Sequence, residues 1–137
     1  MHDGSFADQI EAKNIKEKIA LIIKKQNPSK IFTHAVDDPH PDHRAVHRAV
    51  LEAVDSLQKK YHVYTFMVWN PLKIKNRNAP KLVVDISKTF SVKVRAFLLH
   101  RSQKLAIYAL LWKVFMDNLI NGWFNHCRYA EVFYKIR

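Results

Sequence analysis

The sequence predicts an α/β protein in which helices cover both faces of a mostly parallel sheet. Short β-branched and aromatic runs at Lys30 to His34, Tyr61 to Trp69 and Leu82 to Ile86 alternate with segments whose apolar residues recur every three or four positions. The run from Tyr61 to Trp69 is apolar on both faces, which is typical of an interior strand between two layers of helices. With 137 residues, the chain is long enough for a single domain, residues 1–137, with its own core.

Two helices are predicted in the first half of the chain. The first runs from Asp8 to Gln26 and ends at Asn27-Pro28, because a residue before proline avoids helical backbone angles. The second begins at Pro41, since proline fits a first helical position, where its missing N–H costs nothing. Its buried stripe is predicted from helical spacing and consists of Val46, Val50, Ala53, Val54 and Leu57.

The second half of the chain is predicted to contain two further helices. One follows Ser87, whose hydroxyl can cap it. The other covers the apolar segment from Leu105 to Trp123, and Gly122 is expected to terminate it. Polar residues interrupt its apolar sequence, so we expect a core helix and no bilayer span. A subunit interface, or a surface normally covered by an N-terminal half that this sequence lacks, is the alternative. Arg128 to Tyr134 is predicted to be the final strand.

The composition excludes several classes of function. The chain has two glycines and no Gly-rich nucleotide-binding motif. Its single cysteine, Cys127, excludes an internal disulfide and fits a reducing compartment, and no signal-peptide pattern is present, so we expect a cytoplasmic protein. The net charge of +11 is compatible with nucleic acid or an anionic membrane surface. No nucleic-acid-binding motif accompanies it, and the lysines fit solvated helix faces, so no specific nucleic-acid partner is expected.

The loop between the strand ending at His34 and the helix beginning at Pro41 is the place where chemistry is expected. Asp42 and His43 lie in the first helical turn, where the helix dipole favours a carboxylate and a neutral imidazole. Neutral imidazole is the form that binds a metal. His43 and His47 are one turn apart, which suits zinc chelation from one helix face, although such pairs are more often solvated or capping residues.

The order of residues in this loop is more specific than their spacing. The segment His40-Pro41-Asp42-His43-Arg44-Ala45-Val46 follows a strand ending in Phe32-Thr33-His34. It resembles the second motif of the LmbE-like, or PIG-L-type, zinc-dependent N-acetylglucosaminyl deacetylases. Three later segments resemble the family in the same order, namely Val84 to Ser87, Lys93 to Gln103 and Tyr129 to Phe133.

The resemblance implies a Rossmann-like fold that lacks the family's N-terminal strand-helix units. The family has an A-H-P-D-D-E segment near its N-terminus, which provides a zinc-binding His, a zinc-binding Asp and the general base. This chain instead opens at Met1 to Ser5, which resembles a point roughly midway through the family's domain. The chain therefore resembles only the C-terminal portion of a deacetylase.

The resemblance also implies roles for individual residues. His43 corresponds to a zinc ligand, His40 to the group that stabilises the oxyanion or protonates the leaving amine, and Asp42 to the residue that orients His40 and raises its basicity. His100 on a later helix corresponds to a substrate-binding position, with a packed or surface histidine as the alternative. A catalytic zinc usually has three protein ligands. Four residues near the motif could replace the missing ligands in principle, but we do not expect them to do so. They are His34, Asp37, Asp38 and His47.

The expected function is a zinc-dependent hydrolase that removes an acetyl group from an N-acetylglucosaminyl substrate. With one family-matched ligand, we expect this chain alone to bind zinc weakly and to hydrolyse little. The alternative is a catalytically inactive, shortened relative that acts as a binding or assembly subunit. Loss of the first strand-helix units exposes a strand edge, so a homo-oligomer or association with a separate N-terminal piece is also expected.

Overall fold

The computed structural model describes residues 15–66, 79–99 and 104–137, apart from the side chains of 104–109. The chain divides into two compact units. One contains the residues up to Pro80 together with Tyr134–Arg137, and the other contains Lys81–Phe133.

The first unit is built around a β-loop-α arrangement. Helix α1 covers Ile15–Gln26, strand β1 Lys30–His34, helix α2 Pro41–Asp55 and strand β2 His62–Phe66. Strands β1 and β2 are parallel, with pairs running from Lys30↔His62 to His34↔Phe66. The predicted bounds of β1 and the predicted start of α2 at Pro41 are therefore confirmed.

The core of the first unit lies between its two helices and β2. Ile23 of α1, Val50 and Val54 of α2, and Val63 of β2 are buried in one cluster with Tyr61. A second cluster centres on two buried alanines of α2, Ala45 and Ala49, against which Ile15 and Ile19 of α1 pack. Small alanine side chains allow the two helices to approach closely. Ala45 and Ala49 lie outside the stripe that the sequence predicts, whose members Val50, Ala53 and Val54 are buried.

The second unit contains strand β3 (Lys81–Asp85), helix α3 (Phe90–Leu98), helix α4 (Lys104–Phe124) and most of strand β4 (Ala130–Lys135). Its core consists of Ile86, Phe90 and Tyr129, with Val94 and Phe115 packed against them. The rings of Phe90 and Tyr129 are stacked with centroids 3.9 Å apart. Among the described helices, none combines the length and hydropathy needed to cross a bilayer, as predicted for α4.

The sheet is mixed, which corrects the prediction of a mostly parallel one. Hydrogen bonds order the strands β1-β2-β4-β3. The end of β4 is antiparallel to β2, with Tyr64 opposite Lys135 and Thr65 opposite Tyr134. The prediction relied on the alternation of strands and helices, and alternation does not encode the direction in which the last strand runs.

Two local predictions in the second unit were wrong. Ser87 does not cap α3, because its hydroxyl donates to Asp85 Oδ1 at 2.6 Å and accepts from the Tyr129 N–H at 3.1 Å. Thr89 is the N-cap residue instead, without a side-chain cap bond. Gly122 does not end α4 but lies in its last turns, where a Cβ atom would be 2.6 Å from the carbonyl oxygen of Arg128. The glycine is thus needed for a close backbone approach.

Candidate metal centre

The candidate site is formed where β1 ends and α2 begins. The Ala35 N–H donates to the Phe66 carbonyl at 3.1 Å, which carries the β1–β2 pairing one residue past His34. The Asp38 N–H then donates to the Ala35 carbonyl at 3.3 Å, so the chain turns immediately. The guanidinium of Arg44 closes this loop by donating to the carbonyls of Asp38 and Pro39, both at 2.8 Å. A helical side chain therefore fixes the loop that precedes its own helix.

His40 caps the N-terminus of α2. Its backbone is extended (φ −78°, ψ 125°), and its Nδ1 accepts a hydrogen bond from the Asp42 N–H at 3.2 Å. A neutral imidazole whose Nδ1 accepts must carry its proton on Nε2. The His40 side chain is 55% exposed. It therefore presents an N–H donor at the rim of the site.

Three side chains meet behind this rim. His34, Asp38 and His43 each offer one ligand atom, and these atoms all lie within 4.8 Å of one another. His43 Nδ1 is 2.9 Å from Asp38 Oδ1. The rings of His34 and His43 are nearly parallel, with centroids 3.9 Å apart, and the rings of His40 and His43 have centroids 4.8 Å apart. Three imidazoles and a carboxylate are thus gathered within a few ångströms.

The Asp38 carboxylate is buried without a full set of partners. The residue is 1% exposed, and its Oδ1 accepts from the His40 N–H at 3.0 Å in addition to its bond with His43. Within the described part of the chain, its Oδ2 has no hydrogen-bond partner, and the same is true of the buried His34 Nδ1 and Thr33 Oγ1. An unpaired buried polar group costs about 1–3 kcal/mol, and more when it is charged. A divalent cation would satisfy the carboxylate and the imidazole together, so these residues fit a metal ion.

The environment of His34 favours its metal-binding form. Burial is the largest influence on the pKa of His34 and lowers it, and the neighbouring His43 lowers the pKa further against the opposing effect of Asp38. His34 is therefore neutral near pH 7. His47 is buried one turn beyond His43, with its Nδ1 2.7 Å from the His34 carbonyl oxygen. Because a carbonyl only accepts, Nδ1 of His47 carries a proton, and this bond ties α2 to the end of β1.

The structure brings together some of the residues predicted from sequence. His43 lies in the three-residue group, and His40 lies beside it. Asp42 Oδ2 is 3.7 Å from His40 Nδ1, and that ring nitrogen takes its hydrogen bond from the Asp42 backbone. The role of the Asp42 carboxylate stays a prediction. His100 lies outside the described residues.

Four neighbours were considered from sequence as replacement ligands. Of these, His34 and Asp38 belong to the group, whereas Asp37 and His47 do not belong to it among the residues described. Sequence reasoning gave His34 and Asp38 too little weight. The usable signal was the position of His34 at the carboxyl end of a parallel strand, where α/β proteins bind ligands.

Comparison with known proteins supports the resemblance to deacetylases. Residues 1–54 match the PIG-L family, described as GlcNAc-PI de-N-acetylase. The chain is 39% identical to the probable N-acetyl-α-D-glucosaminyl L-malate deacetylase 2 of Bacillus cereus, over 68% of this chain and 43% of the relative. The chain therefore spans less than half the length of this curated relative.

Solved structures share the fold at low sequence identity. The 4-carboxy-2-hydroxymuconate hydratase GalB of Pseudomonas putida KT2440 matches 91% of this chain and 59% of its own, with a TM-score of 0.73 and 17% identity. The zinc-inhibited form of teicoplanin deacetylase Orf2 matches 98% of this chain and 54% of its own, with a TM-score of 0.61 and 18% identity. These likenesses establish the fold alone, since a hydratase and a deacetylase share it.

Proposed function

Since residues 1–54 carry PIG-L family sequence, we propose that this chain contributes a zinc site to the deacetylation of an N-acetylglucosaminyl compound. The observation that carries the proposal is the group of His34, Asp38 and His43, with its two buried atoms that lack partners. The Bacillus cereus relative is named as a deacetylase of a glucosaminyl malate, which makes that class of substrate the first to test.

The proposed ligands follow from the distances, since the ligand atoms of His34, Asp38 and His43 lie within 4.8 Å of one another. Nδ1 of His43 lies 2.9 Å from Asp38 Oδ1, and it can bind a metal beside that carboxylate when the ring carries its proton on Nε2. His34 and the free oxygen of Asp38 are the further candidates. The group therefore offers three protein ligands where sequence matching offered one, and three is the usual number in a catalytic zinc site.

The chemistry divides between the metal and the side chains. Zinc, when bound, polarises a carbonyl and lowers the pKa of a coordinated water. His40 holds the donor at its exposed Nε2, from which it can stabilise an oxyanion or protonate a leaving amine. The Asp42 N–H keeps His40 in that tautomer by occupying Nδ1. Arg44 supports the site by fixing the loop that carries Asp38.

Zinc titration of the metal-free chain by calorimetry tests the proposed site. We expect one zinc per chain for the unmodified protein and an affinity at least ~100-fold weaker for His43→Gln, because a ligand is removed. His62→Gln is the matched control, since His62 is exposed and lies at the opposite end of the parallel β1–β2 pair. Equal zinc affinity in all three proteins would refute the proposed ligands.

An activity assay separates the two candidate functions. Release of free amine from N-acetylglucosaminyl malate is measured with and without zinc. Zinc-dependent release that His40→Gln and His43→Gln abolish supports a deacetylase. Stoichiometric zinc without release instead supports a shortened, inactive relative that serves as a binding or assembly subunit.

A further inference from the structure

Helix α4 carries an apolar stripe on its exposed side. The stripe consists of Trp112, Met116, Leu119 and Trp123. At 3.6 residues per turn, these four positions fall within about 60° of one another around the helix. Phe115 lies beside the stripe on the helix, packs inward against Phe90 and Tyr129, and has its ring centroid 6.4 Å from that of Trp112. The stripe therefore borders the surface that α4 uses in its own unit, and only its exposed part is additional to that surface.

The exposed apolar area is large. Trp112 is 66% exposed and Trp123 82%, and Phe124, which follows Trp123 at the end of the helix, is 75% exposed. With 150–250 Å² for each aromatic side chain, these three expose roughly 500 Å². That already lies in the upper part of the range for the largest patch on a monomer, which is about 300–600 Å². When Leu119 and Ile120 are included, the exposed apolar area of two copies sums to about 1,200 Å², which is the lower limit for a stable specific interface.

The spacing of the stripe is self-complementary. Its four residues are separated by four, three and four positions, so the pattern reads the same in both directions, with a tryptophan at each end. This is also the spacing of a coiled-coil seam. A twofold axis between residues 117 and 118 would place Trp112 of one copy opposite Trp123 of the other, and Met116 opposite Leu119. Such an isologous contact closes after two copies.

The charges beside the stripe favour a protein partner over a lipid surface. Lys113 and Asp117 border the stripe and form an ion pair with each other. Membrane-surface helices instead place unpaired lysines and arginines beside their apolar face. We propose that the α4 stripe is the interface of an antiparallel homodimer of this chain. This interface is independent of the proposed zinc site.

Sedimentation velocity of the full chain tests the proposal. We expect a dimer at micromolar concentration, and Trp123→Glu should raise the dimer dissociation constant by about 100-fold or more, because it places a charge twice in the interface. Val92→Glu is the control, since Val92 is 54% exposed on α3 and lies off the stripe. Unchanged far-UV circular dichroism confirms folding. A monomeric unmodified chain, including one that sediments with phosphatidylserine vesicles, overturns the proposal.

Cysteine crosslinking tests the antiparallel geometry. In a Cys127→Ser background, Met116→Cys mixed with Leu119→Cys should form a disulfide-linked dimer under mild oxidation. Neither variant alone should crosslink efficiently, because an antiparallel pair places unlike positions opposite each other. Efficient crosslinking of each variant with itself would contradict the proposed arrangement.

Discussion

Replacement of Asp38 by asparagine should stabilise the metal-free protein and remove most of its stabilisation by zinc. Asp38 is 1% exposed, and an asparagine oxygen can still accept both hydrogen bonds that its Oδ1 accepts. The substitution therefore retains the shape and the accepted bonds while it removes a buried negative charge. Residues that serve a ligand at a cost in stability behave in this way.

The magnitude follows from two opposing contributions. Burial of a carboxylate costs several kcal/mol even after relaxation. The two hydrogen bonds to Oδ1 each lose about 1 kcal/mol when the acceptor becomes neutral. The net result is a gain of about 1–2 kcal/mol in the free energy of unfolding, which corresponds to roughly 3–7 °C in Tm for a chain of this size.

With zinc bound, the unmodified protein should become more stable than Asp38→Asn. At a zinc concentration of 100 times Kd, the unmodified protein gains about 2.7 kcal/mol by mass action. A 100-fold weaker site in Asp38→Asn leaves a gain of about 0.4 kcal/mol. Urea unfolding with EDTA and with zinc measures both values, and Glu52→Gln, which changes an exposed acid on α2, is the control. An Asp38→Asn protein that is less stable in EDTA and gains as much from zinc as the unmodified chain would refute this reasoning.

Two further predictions concern stability. Gly122→Ala should lower the free energy of unfolding by about 1–3 kcal/mol despite its better helix propensity, because the added Cβ meets the backbone of Arg128; equal or higher stability in urea would contradict the close approach. Arg137 donates to both oxygens of Asp55 at 3.0 Å, and this hydrogen bonding lowers the pKa of Asp55 below its ordinary 3.8. The pair therefore stabilises the fold above that pH, and the contribution is lost as the pH falls through the lower folded-state pKa. Asp55→Asn should cost about 0.5–1 kcal/mol at pH 7, since the pair is half exposed, and progressively less as the pH falls below the ordinary pKa of 3.8. A difference that does not change with pH would refute the assignment.

The elements that sequence predicted well are those fixed by local rules. Strand β1 is a β-branched and aromatic run, and α2 begins at the proline that fits its first turn. The errors arise where distant residues decide. The hydroxyl of Ser87 is occupied by Asp85 and by Tyr129, which is 42 residues away, so the cap moves to Thr89.

In the candidate site, too, some residues could be predicted from local sequence and others depend on tertiary contacts. His40 and His43 stand out from their order in the sequence, because that order matches a family motif. Asp37 and Asp38 are indistinguishable as adjacent acids in a turn. The bond from the Asp38 N–H to the Ala35 carbonyl sets the turn, and the Arg44 guanidinium supports it, so that Asp38 is the acid that becomes buried beside His43. Which of the two acids is buried depends on tertiary packing, and residue spacing in the sequence does not predict it.

The most direct test of the account is anomalous diffraction at the zinc absorption edge from crystals of the zinc-soaked chain. We expect one strong peak bound by His43 together with His34 and Asp38, and its loss in crystals of His43→Gln. A peak held by other side chains, or no peak at this group at saturating zinc, would contradict the claim that the end of β1 and the start of α2 form a metal centre.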